Sequence, residues 1–249
     1  MKKYIPNTIT CCNLISGCIA TFFAFQYEYK TALLFIVIGA VFDFFDGFAA
    51  RLLHVSSPIG KELDSLADDI TFGFAPAAIV FSALNELMIT NSNVTVLPFI
   101  DTYILPYVPF SAFLIAAFSA LRLAKFNLDE RQTTSFVGMP TPANALFWAA
   151  CCCSMSESNM MDSDLSLVAV LVLGIILSCG LLVSELPMFA LKFKNFKMSG
   201  DNILRYTFIV FSAIILLGTG ILGICFVILL YLMMSIASNV IGMKVADDE

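Results

Sequence analysis

Four aspartates between positions 43 and 68 are unusual because they lie in an otherwise apolar part of the chain. Asp43 and Asp46 lie near the end of one apolar run, and Asp64 and Asp68 lead into the next. Residues three or four apart share one face of a helix, so each pair forms an acidic patch. Carboxylates without histidine or cysteine suit hard divalent cations such as Mg²⁺ or Mn²⁺. The spacing predicts a metal site that two helices build together near one side of a membrane.

Small residues accompany both acidic patches. Gly47 and Ala50 continue the face of the first pair, and Gly60 lies one turn before Asp64. Such residues leave space for a bulky ligand or let a neighbouring helix approach closely. Asp69 falls on a different face and is not predicted to be a ligand. Four uncompensated carboxylates in a bilayer would be very costly, which favours a metal site over a purely structural role.

The composition predicts the elements that must position these side chains. The chain has 249 residues, of which 59% are hydrophobic and 13% charged, and its mean hydropathy is +0.91. These values lie outside the range of a soluble domain. A membrane-spanning helix needs about 20 apolar residues. We therefore predict an all-α, polytopic membrane bundle of about eight helices, with approximate spans at 9–26, 31–53, 67–88, 103–126, 143–157, 165–185, 204–218 and 220–241.

The basic residues predict the orientation of this bundle. With eight spans, Lys30 falls on one side and every other lysine and arginine falls on the opposite side. By the positive-inside rule, both termini and the acidic patches are expected to face the cytoplasm. The net charge of −6 gives no reason to expect a nucleic acid as partner. The eight cysteines lie in apolar spans without the spacing of a metal site or a disulfide framework.

The complete aspartate string resembles the signature of the CDP-alcohol phosphotransferase family. That resemblance implies a six-helix core and a two-metal site formed by the four aspartates. It also implies transfer of a phosphoryl-linked group from a CDP-activated donor to an alcohol, with release of CMP. The match covers eight fixed positions: Asp43-x2-Asp46-Gly47-x2-Ala50-Arg51-x8-Gly60-x3-Asp64-x3-Asp68.

The resemblance also implies a role for each residue of the signature. Asp43, Asp46 and Asp64 are expected to be metal ligands. Asp68 is expected to bind the second ion, to take the proton of the acceptor hydroxyl, or to do both. The other four signature residues are predicted to bind the CDP donor: Gly47, Ala50, Arg51 and Gly60. Asn7 and Thr10, near the N-terminus, are predicted to bind it as well.

Further segments resemble the membrane-integral phosphatidylserine synthases of this family. This likeness implies CDP-diacylglycerol as donor, L-serine as acceptor and a homodimer. Arg122 is the candidate to bind the serine carboxylate, because a guanidinium can do so through two hydrogen bonds, and Asn127 is close enough in sequence to line the same cavity. Lys125 departs from the usual arginine. The segments are IPNTITCCNLISG at 5–17, LRLAKFN at 121–127, FVGMPTPANA at 136–145 and LLVSELPMFALK at 181–192.

These segments divide the single membrane domain into a catalytic core, 1–192, and C-terminal helices without motifs, 193–249. Two alternatives to the serine-dependent reaction stay open. The same chemistry could use glycerol 3-phosphate or inositol phosphate as the acceptor, because the chain has enough basic residues to bind a phosphorylated acceptor. Intramembrane acids are also expected in a divalent-cation transporter. A covalent histidine intermediate is unsupported, because the chain has one histidine, His54, and no H-x-K motif.

Overall fold

The computed structural model describes residues 4–55, 57–90, 103–128, 136–160, 166–189 and 200–240. Arg131 and the whole segment 190–199, which carry part of the predicted cytoplasmic charge, lie outside these ranges. The described chain forms nine α-helices, a π turn, a 3-10 turn and one antiparallel pair of two-residue strands. In order these are α1 (Tyr4–Phe25), α2 (Tyr29–Leu52), α3 (Pro58–Asp68), the π turn (Asp69–Phe74), α4 (Ala75–Thr90), the 3-10 turn (Leu105–Ala112), α5 (Phe113–Leu128), β1 (Phe136–Val137), α6 (Thr141–Glu157), α7 (Ser166–Val183), β2 (Pro187–Met188), α8 (Gly200–Thr219) and α9 (Leu222–Val240).

The helices confirm the predicted all-α membrane bundle. Within the described ranges, seven helical segments are long and apolar enough to cross a membrane. The helix α6, with 17 residues, is slightly shorter than these seven and corresponds to the predicted span 143–157. One of the seven is continuous from Pro58 to Thr90, because α3, the π turn and α4 follow one another without a break.

The helix that carries Asp64 and Asp68 begins earlier than the predicted span at 67. It begins at Pro58, because Ser57 caps it: the Ser57 Oγ accepts a hydrogen bond from the Gly60 backbone N–H at 3.0 Å. Proline is favoured at the first helical position, where its missing N–H is no loss. The connection from α2 is therefore shorter than the dozen residues expected from the sequence, and both aspartates lie within a regular helix.

The π turn directly follows Asp68 and packs tightly against α1 and α2. Pro76 accounts for the wider turn, since a proline ring would clash with the carbonyl four residues earlier in a regular α-helix. Thr71 in this turn donates a hydrogen bond from its Oγ1 to the Asn13 carbonyl oxygen at 3.0 Å. A Cβ added at Gly17 would lie 2.7 Å from the Thr71 Cα, and one at Gly39 would lie 2.5 Å from the Thr71 Cγ2. Both glycines therefore permit the close approach.

We expect Gly17→Ala to lower the free energy of unfolding by ~1–3 kcal/mol, because the new methyl group would meet the Thr71 backbone and push α1 away from the π turn. Thermal unfolding of the purified protein in detergent measures this effect. Gly180→Ala on α7 is the matched control, since nothing lies within 4 Å of an added Cβ there. Equal melting temperatures for the two variants would contradict this account of the packing.

The two short strands form a structure that we call the clasp, residues 136–139 and 186–189. Phe136 pairs with Met188 and Val137 with Pro187 in antiparallel register. The Gly138 N–H donates to the Leu186 carbonyl at 2.9 Å, and Gly138 has a φ of +77°, which favours glycine. The clasp joins the segments 136–145 and 181–192, which the sequence singled out separately.

Candidate metal centre and adjoining cavity

Three of the four signature aspartates converge on one point. Asp43 comes from α2, and Asp64 and Asp68 come from α3. Each offers a carboxylate oxygen, and these oxygens lie within 4.8 Å of one another. Helix α1 packs against both α2 and α3 and so brings the two acidic patches together. Asp69 lies in the π turn and is not part of this group, as the sequence predicted.

Asp46 lies beside the group of three and is held by α1. Its side chain is buried, and the Thr10 Oγ1 donates a hydrogen bond to its Oδ2 at 2.6 Å. Asp46 interacts electrostatically with Asp43, Asp64 and Asp68. All four predicted ligands therefore belong to one acidic centre, in which Asp43, Asp64 and Asp68 are close enough to share a single ion.

The environment of these carboxylates fits a bound divalent cation. In the part of the chain that the structure describes, no lysine or arginine forms an ion pair with any of the four aspartates. The Asp64 Oδ1 is buried and has no hydrogen-bond partner. Buried carboxylates without a counter-charge are strongly unfavourable. A hard cation with oxygen ligands supplies that counter-charge.

Asn13 is a residue of this centre that sequence reasoning did not predict. It is fully buried, and its Nδ2 donates a hydrogen bond to the Asp68 Oδ1 at 3.0 Å. Asn7, Thr10 and Asn13 follow one another at intervals of three residues along α1, and Thr10 and Asn13 each bind one aspartate. This regular spacing of polar residues in an apolar helix was the available signal.

A cavity of about 260 Å³ adjoins the acidic centre. It contains five of the six residues that the sequence predicted for the CDP donor, and it also contains Lys61 and Ser57, which were not predicted. Gly60 keeps the wall of the cavity open, since an added Cβ would lie 3.0 Å from the Ser57 Oγ and 3.1 Å from the Asn7 Oδ1. The lining residues are Pro6, Asn7, Thr10, Asp46, Gly47, Ala50, Val55, Ser57, Gly60, Lys61 and Asp64.

Arg51 is the predicted donor residue that does not line this cavity. Its side chain is exposed and borders a neighbouring open groove together with Ala50, His54 and Val55. Ala50 and Val55 line both spaces, so Arg51 lies at the rim of the cavity.

The two candidates for binding the serine acceptor lie in different environments. Arg122 is only 8% exposed, its Nε is buried without a hydrogen-bond partner, and it interacts electrostatically with Asp68. Asn127 instead donates from its Nδ2 to the Ser65 Oγ at 2.7 Å, and its carbonyl oxygen accepts from the Lys61 Nζ at 3.1 Å. Asn127 thus ties α5 to α3, whereas the buried Arg122 Nε has no hydrogen-bond partner.

Comparisons with known proteins identify the family of this chain. The family model of the CDP-alcohol phosphatidyltransferases matches residues 3–184. The chain belongs to this family. It is 37% identical over 141 residues to the CDP-diacylglycerol–serine O-phosphatidyltransferase of Bacillus subtilis, and this alignment covers 56% of the chain and 70% of the relative.

Other proteins named CDP-diacylglycerol–serine O-phosphatidyltransferase are less similar to this chain. The Helicobacter pylori J99 protein is 28% identical over 195 residues, covering 77% of this chain and 72% of the relative. The Methanocaldococcus jannaschii protein is 28% identical over 164 residues, covering 66% and 67%. The CDP-alcohol phosphatidyltransferase match ends within the turn after α7, so α8 and α9 lie outside it. The division into a core, 1–192, and C-terminal helices, 193–249, stays a prediction.

Proposed function

We propose that this protein transfers the phosphatidyl group from CDP-diacylglycerol to the hydroxyl of L-serine and releases CMP. The observation that carries the proposal is the convergence of Asp43, Asp64 and Asp68 beside a polar cavity, in a member of the CDP-alcohol phosphatidyltransferase family. The relatives named above, which are called CDP-diacylglycerol–serine O-phosphatidyltransferases, support the choice of donor and acceptor.

The acidic centre is proposed to bind two divalent cations, Mg²⁺ or Mn²⁺, through Asp43, Asp46, Asp64 and Asp68. Bound there, the ions would hold the diphosphate of the donor and stabilise negative charge on the attacking and leaving oxygens. Thr10 and Asn13 hold Asp46 and Asp68 in place through the hydrogen bonds described above. These bonds fix the carboxylates before substrate binds, which reduces the cost of organising the site.

The CDP head group is proposed to enter the cavity beside these carboxylates, while the two acyl chains stay in the lipid. Gly47, Ala50 and Gly60 leave space for the nucleotide, because none has a side chain larger than a methyl group. Asn7 offers an amide to the nucleotide. Arg51 at the rim and Lys61 in the wall provide cations for its phosphates.

Asp68 is proposed to take the proton of the serine hydroxyl as that oxygen attacks the phosphorus attached to the diacylglycerol oxygen. A new bond forms between the serine oxygen and phosphorus, the bond from phosphorus to the CMP oxygen breaks, and CMP leaves with the electron pair. Asn13 occupies the Asp68 Oδ1, which leaves the other oxygen for the proton. Arg122 beside Asp68 is proposed to bind the serine carboxylate, and Asn127 to support that wall of the site.

The orientation and assembly are part of the same proposal. The acidic centre and both termini face the cytoplasm, because lysine and arginine are concentrated on that side of the predicted bundle. The protein lies in the inner membrane among the lipids that supply its donor, and it forms a homodimer as the family resemblance implies. No nucleic acid takes part.

The test is CMP release by the purified protein in detergent with CDP-diacylglycerol and Mg²⁺ or Mn²⁺. Parallel reactions contain L-serine, glycerol 3-phosphate, inositol phosphate or no acceptor. Of these four reactions, we expect only the one that contains L-serine to release CMP. Release with a phosphorylated acceptor would retain the chemistry and overturn the choice of serine. No release with any acceptor, together with metal flux into proteoliposomes that lack CDP-lipid, would instead indicate a transporter.

Removal of divalent cations is expected to abolish the serine-dependent release. Treatment with EDTA followed by dialysis should lower the rate to background, and adding Mg²⁺ or Mn²⁺ should restore it, because oxygen ligands of this kind exchange such ions reversibly. Calorimetric titration of the metal-free protein with Mn²⁺ provides a readout besides activity. Full activity after EDTA treatment, with no Mn²⁺ bound in the titration, would contradict the metal site.

A further inference from the structure

Ser57 lines the cavity beside the acidic centre, and the proposed function gives its hydroxyl no part in binding. The residue precedes α3 and has an extended backbone, with φ −147° and ψ 145°. Its Oγ accepts the hydrogen bond from the Gly60 N–H at 3.0 Å, and its carbonyl oxygen accepts one from the Lys61 N–H at 3.1 Å. Ser57 is therefore held in place at both its side chain and its backbone.

The hydrogen of the Ser57 hydroxyl is not used by this helix cap. A serine hydroxyl donates one hydrogen bond and has two lone pairs that can accept others. The bond from the Gly60 N–H occupies one lone pair, and within the described residues the Ser57 Oγ donates to no partner. Because Ser57 forms part of the cavity wall, this donor is available to a molecule that binds in the cavity.

Asn7 of α1 and Ser57 border the same small space next to Gly60. A Cβ added at Gly60 would lie 3.0 Å from the Ser57 Oγ and 3.1 Å from the Asn7 Oδ1, so the missing side chain keeps the space between them open. An amide and a hydroxyl together can both donate and accept hydrogen bonds. This combination suits a nucleoside, whose ribose hydroxyls and base edge carry donors and acceptors.

Asn7 and Ser57 lie at the end of the cavity away from the metal-binding carboxylates. Ser57 precedes Asp64 by seven positions, which corresponds to about 10 Å along a helix axis. On α1, Asn7 lies one turn before Thr10, the residue that binds Asp46. The diphosphate of the donor is proposed to lie beside the carboxylates and their ions. The nucleoside attached to it would then extend toward Asn7 and Ser57.

We propose that Ser57 is a nucleoside-binding residue of the donor site, whose hydroxyl donates a hydrogen bond to an oxygen of the ribose or of the cytosine ring while its Oγ caps α3. This inference rests on the proposed function. It gives the first turn of α3 a contact with the nucleoside, whereas Asp64 and Asp68 further along the same helix belong to the metal centre. One helix would thus set the distance between the nucleoside and the ions.

The first test is calorimetric titration of Ser57→Gly with CMP in the presence of Mn²⁺, using purified protein in detergent. Glycine caps a helix nearly as well as serine, so α3 should form and the melting temperature should stay close to that of wild type. We expect CMP to bind about three- to tenfold more weakly, the effect of one lost hydrogen bond between neutral groups. An unchanged affinity for CMP would overturn the proposal.

Two control variants test whether the hydroxyl itself is responsible. Ser57→Thr keeps both the cap and the hydroxyl, and its affinity for CMP should stay within about twofold of wild type. Thr8→Val removes a hydroxyl next to Asn7 that is exposed, bonds to the Tyr4 carbonyl oxygen and does not line the cavity; it should also bind CMP normally. Equal weakening in Ser57→Thr and Ser57→Gly would contradict a role of the hydroxyl.

Two further ligands test which part of the nucleotide Ser57 contacts. Inorganic pyrophosphate offers the ions a diphosphate without a nucleoside, so Ser57→Gly should bind it within about twofold of wild type. A loss equal to that for CMP would assign the effect to the metal centre and overturn the nucleoside contact. With 2′-deoxy-CMP, an effect of Ser57→Gly that disappears identifies the ribose 2′-hydroxyl as the acceptor, and one that persists identifies another nucleoside oxygen.

These outcomes are distinct from a failure of the proposed function. Wild-type protein that neither binds nor releases CMP contradicts the proposed function. Release of CMP with another acceptor contradicts only the choice of serine and leaves the test of Ser57 unaffected. Serine-dependent release by the wild type, together with a Ser57→Gly variant of unchanged affinity for CMP, contradicts the role of Ser57 alone.

Discussion

Asp68→Asn is expected to lower the rate of serine-dependent CMP release by about 10²–10⁴-fold, the contribution typical of a positioned general base. Asparagine has nearly the same shape, and its side-chain oxygen can still accept the hydrogen bond from the Asn13 Nδ2, so the fold should survive. What disappears is the carboxylate that takes the serine proton and contributes charge to the metal site. The measurement is the rate of CMP release at saturating donor and serine, with thermal unfolding to confirm folding.

Asp69→Asn is the matched control for this variant. It makes the same chemical change at the adjacent residue, which lies in the π turn and outside the group of carboxylates that can share an ion. We expect its activity to stay within about twofold of wild type, as for substitutions away from the reacting groups. Equal losses in the two variants would show that the chemistry does not depend on Asp68.

The two proposed roles of Asp68 can be separated by varying the metal concentration. A variant that lost only a ligand should regain activity at high Mn²⁺, because binding is restored by mass action. A variant that lost the base should stay inactive at saturating Mn²⁺. We expect the second result, since Asp43, Asp46 and Asp64 remain to hold the ions. Full recovery at high Mn²⁺ would limit Asp68 to metal binding.

Arg122→Lys is expected to raise the KM for L-serine by about 10–100-fold while the KM for CDP-diacylglycerol changes little. Lysine keeps the positive charge but lacks the planar fork that binds a carboxylate through two hydrogen bonds, and a hydrogen bond to a charged group contributes about 1.5–3 kcal/mol. Because Arg122 is buried and interacts electrostatically with Asp68, little water is available to replace the hydrogen bonds that lysine cannot make. The measurement is the initial rate as a function of serine at saturating donor.

Lys125→Gln controls for a role of Arg122 as a cytoplasmic anchor. Lys125 is exposed in the last turn of the same helix, so an anchoring effect should appear there as well. We expect its serine KM to stay near the wild-type value. A higher donor KM with an unchanged serine KM in Arg122→Lys would assign Arg122 to the donor and contradict its proposed contact with serine.

The sequence by itself determined the class of protein and the membership of its acidic centre. The long apolar runs predict membrane helices, because inside a bilayer the backbone N–H and C=O groups can form hydrogen bonds only with each other. The intervals of three and four residues place Asp43 with Asp46 and Asp64 with Asp68, since the helical period is a local property. The structure confirms the all-α bundle, and the comparison with the CDP-alcohol phosphatidyltransferases confirms the family.

The tertiary structure decided which helices meet and what each side chain contacts there. Asn13 binds Asp68 across 55 positions of sequence, and Tyr231 joins α9 to the clasp across 42. Asn127, predicted to line the serine site, instead donates a hydrogen bond from its Nδ2 to the Ser65 Oγ of α3. A local pattern specifies the polar face of one helix but not the residue that faces it. That partner depends on how the whole bundle packs, which is determined by contacts between residues far apart in the chain.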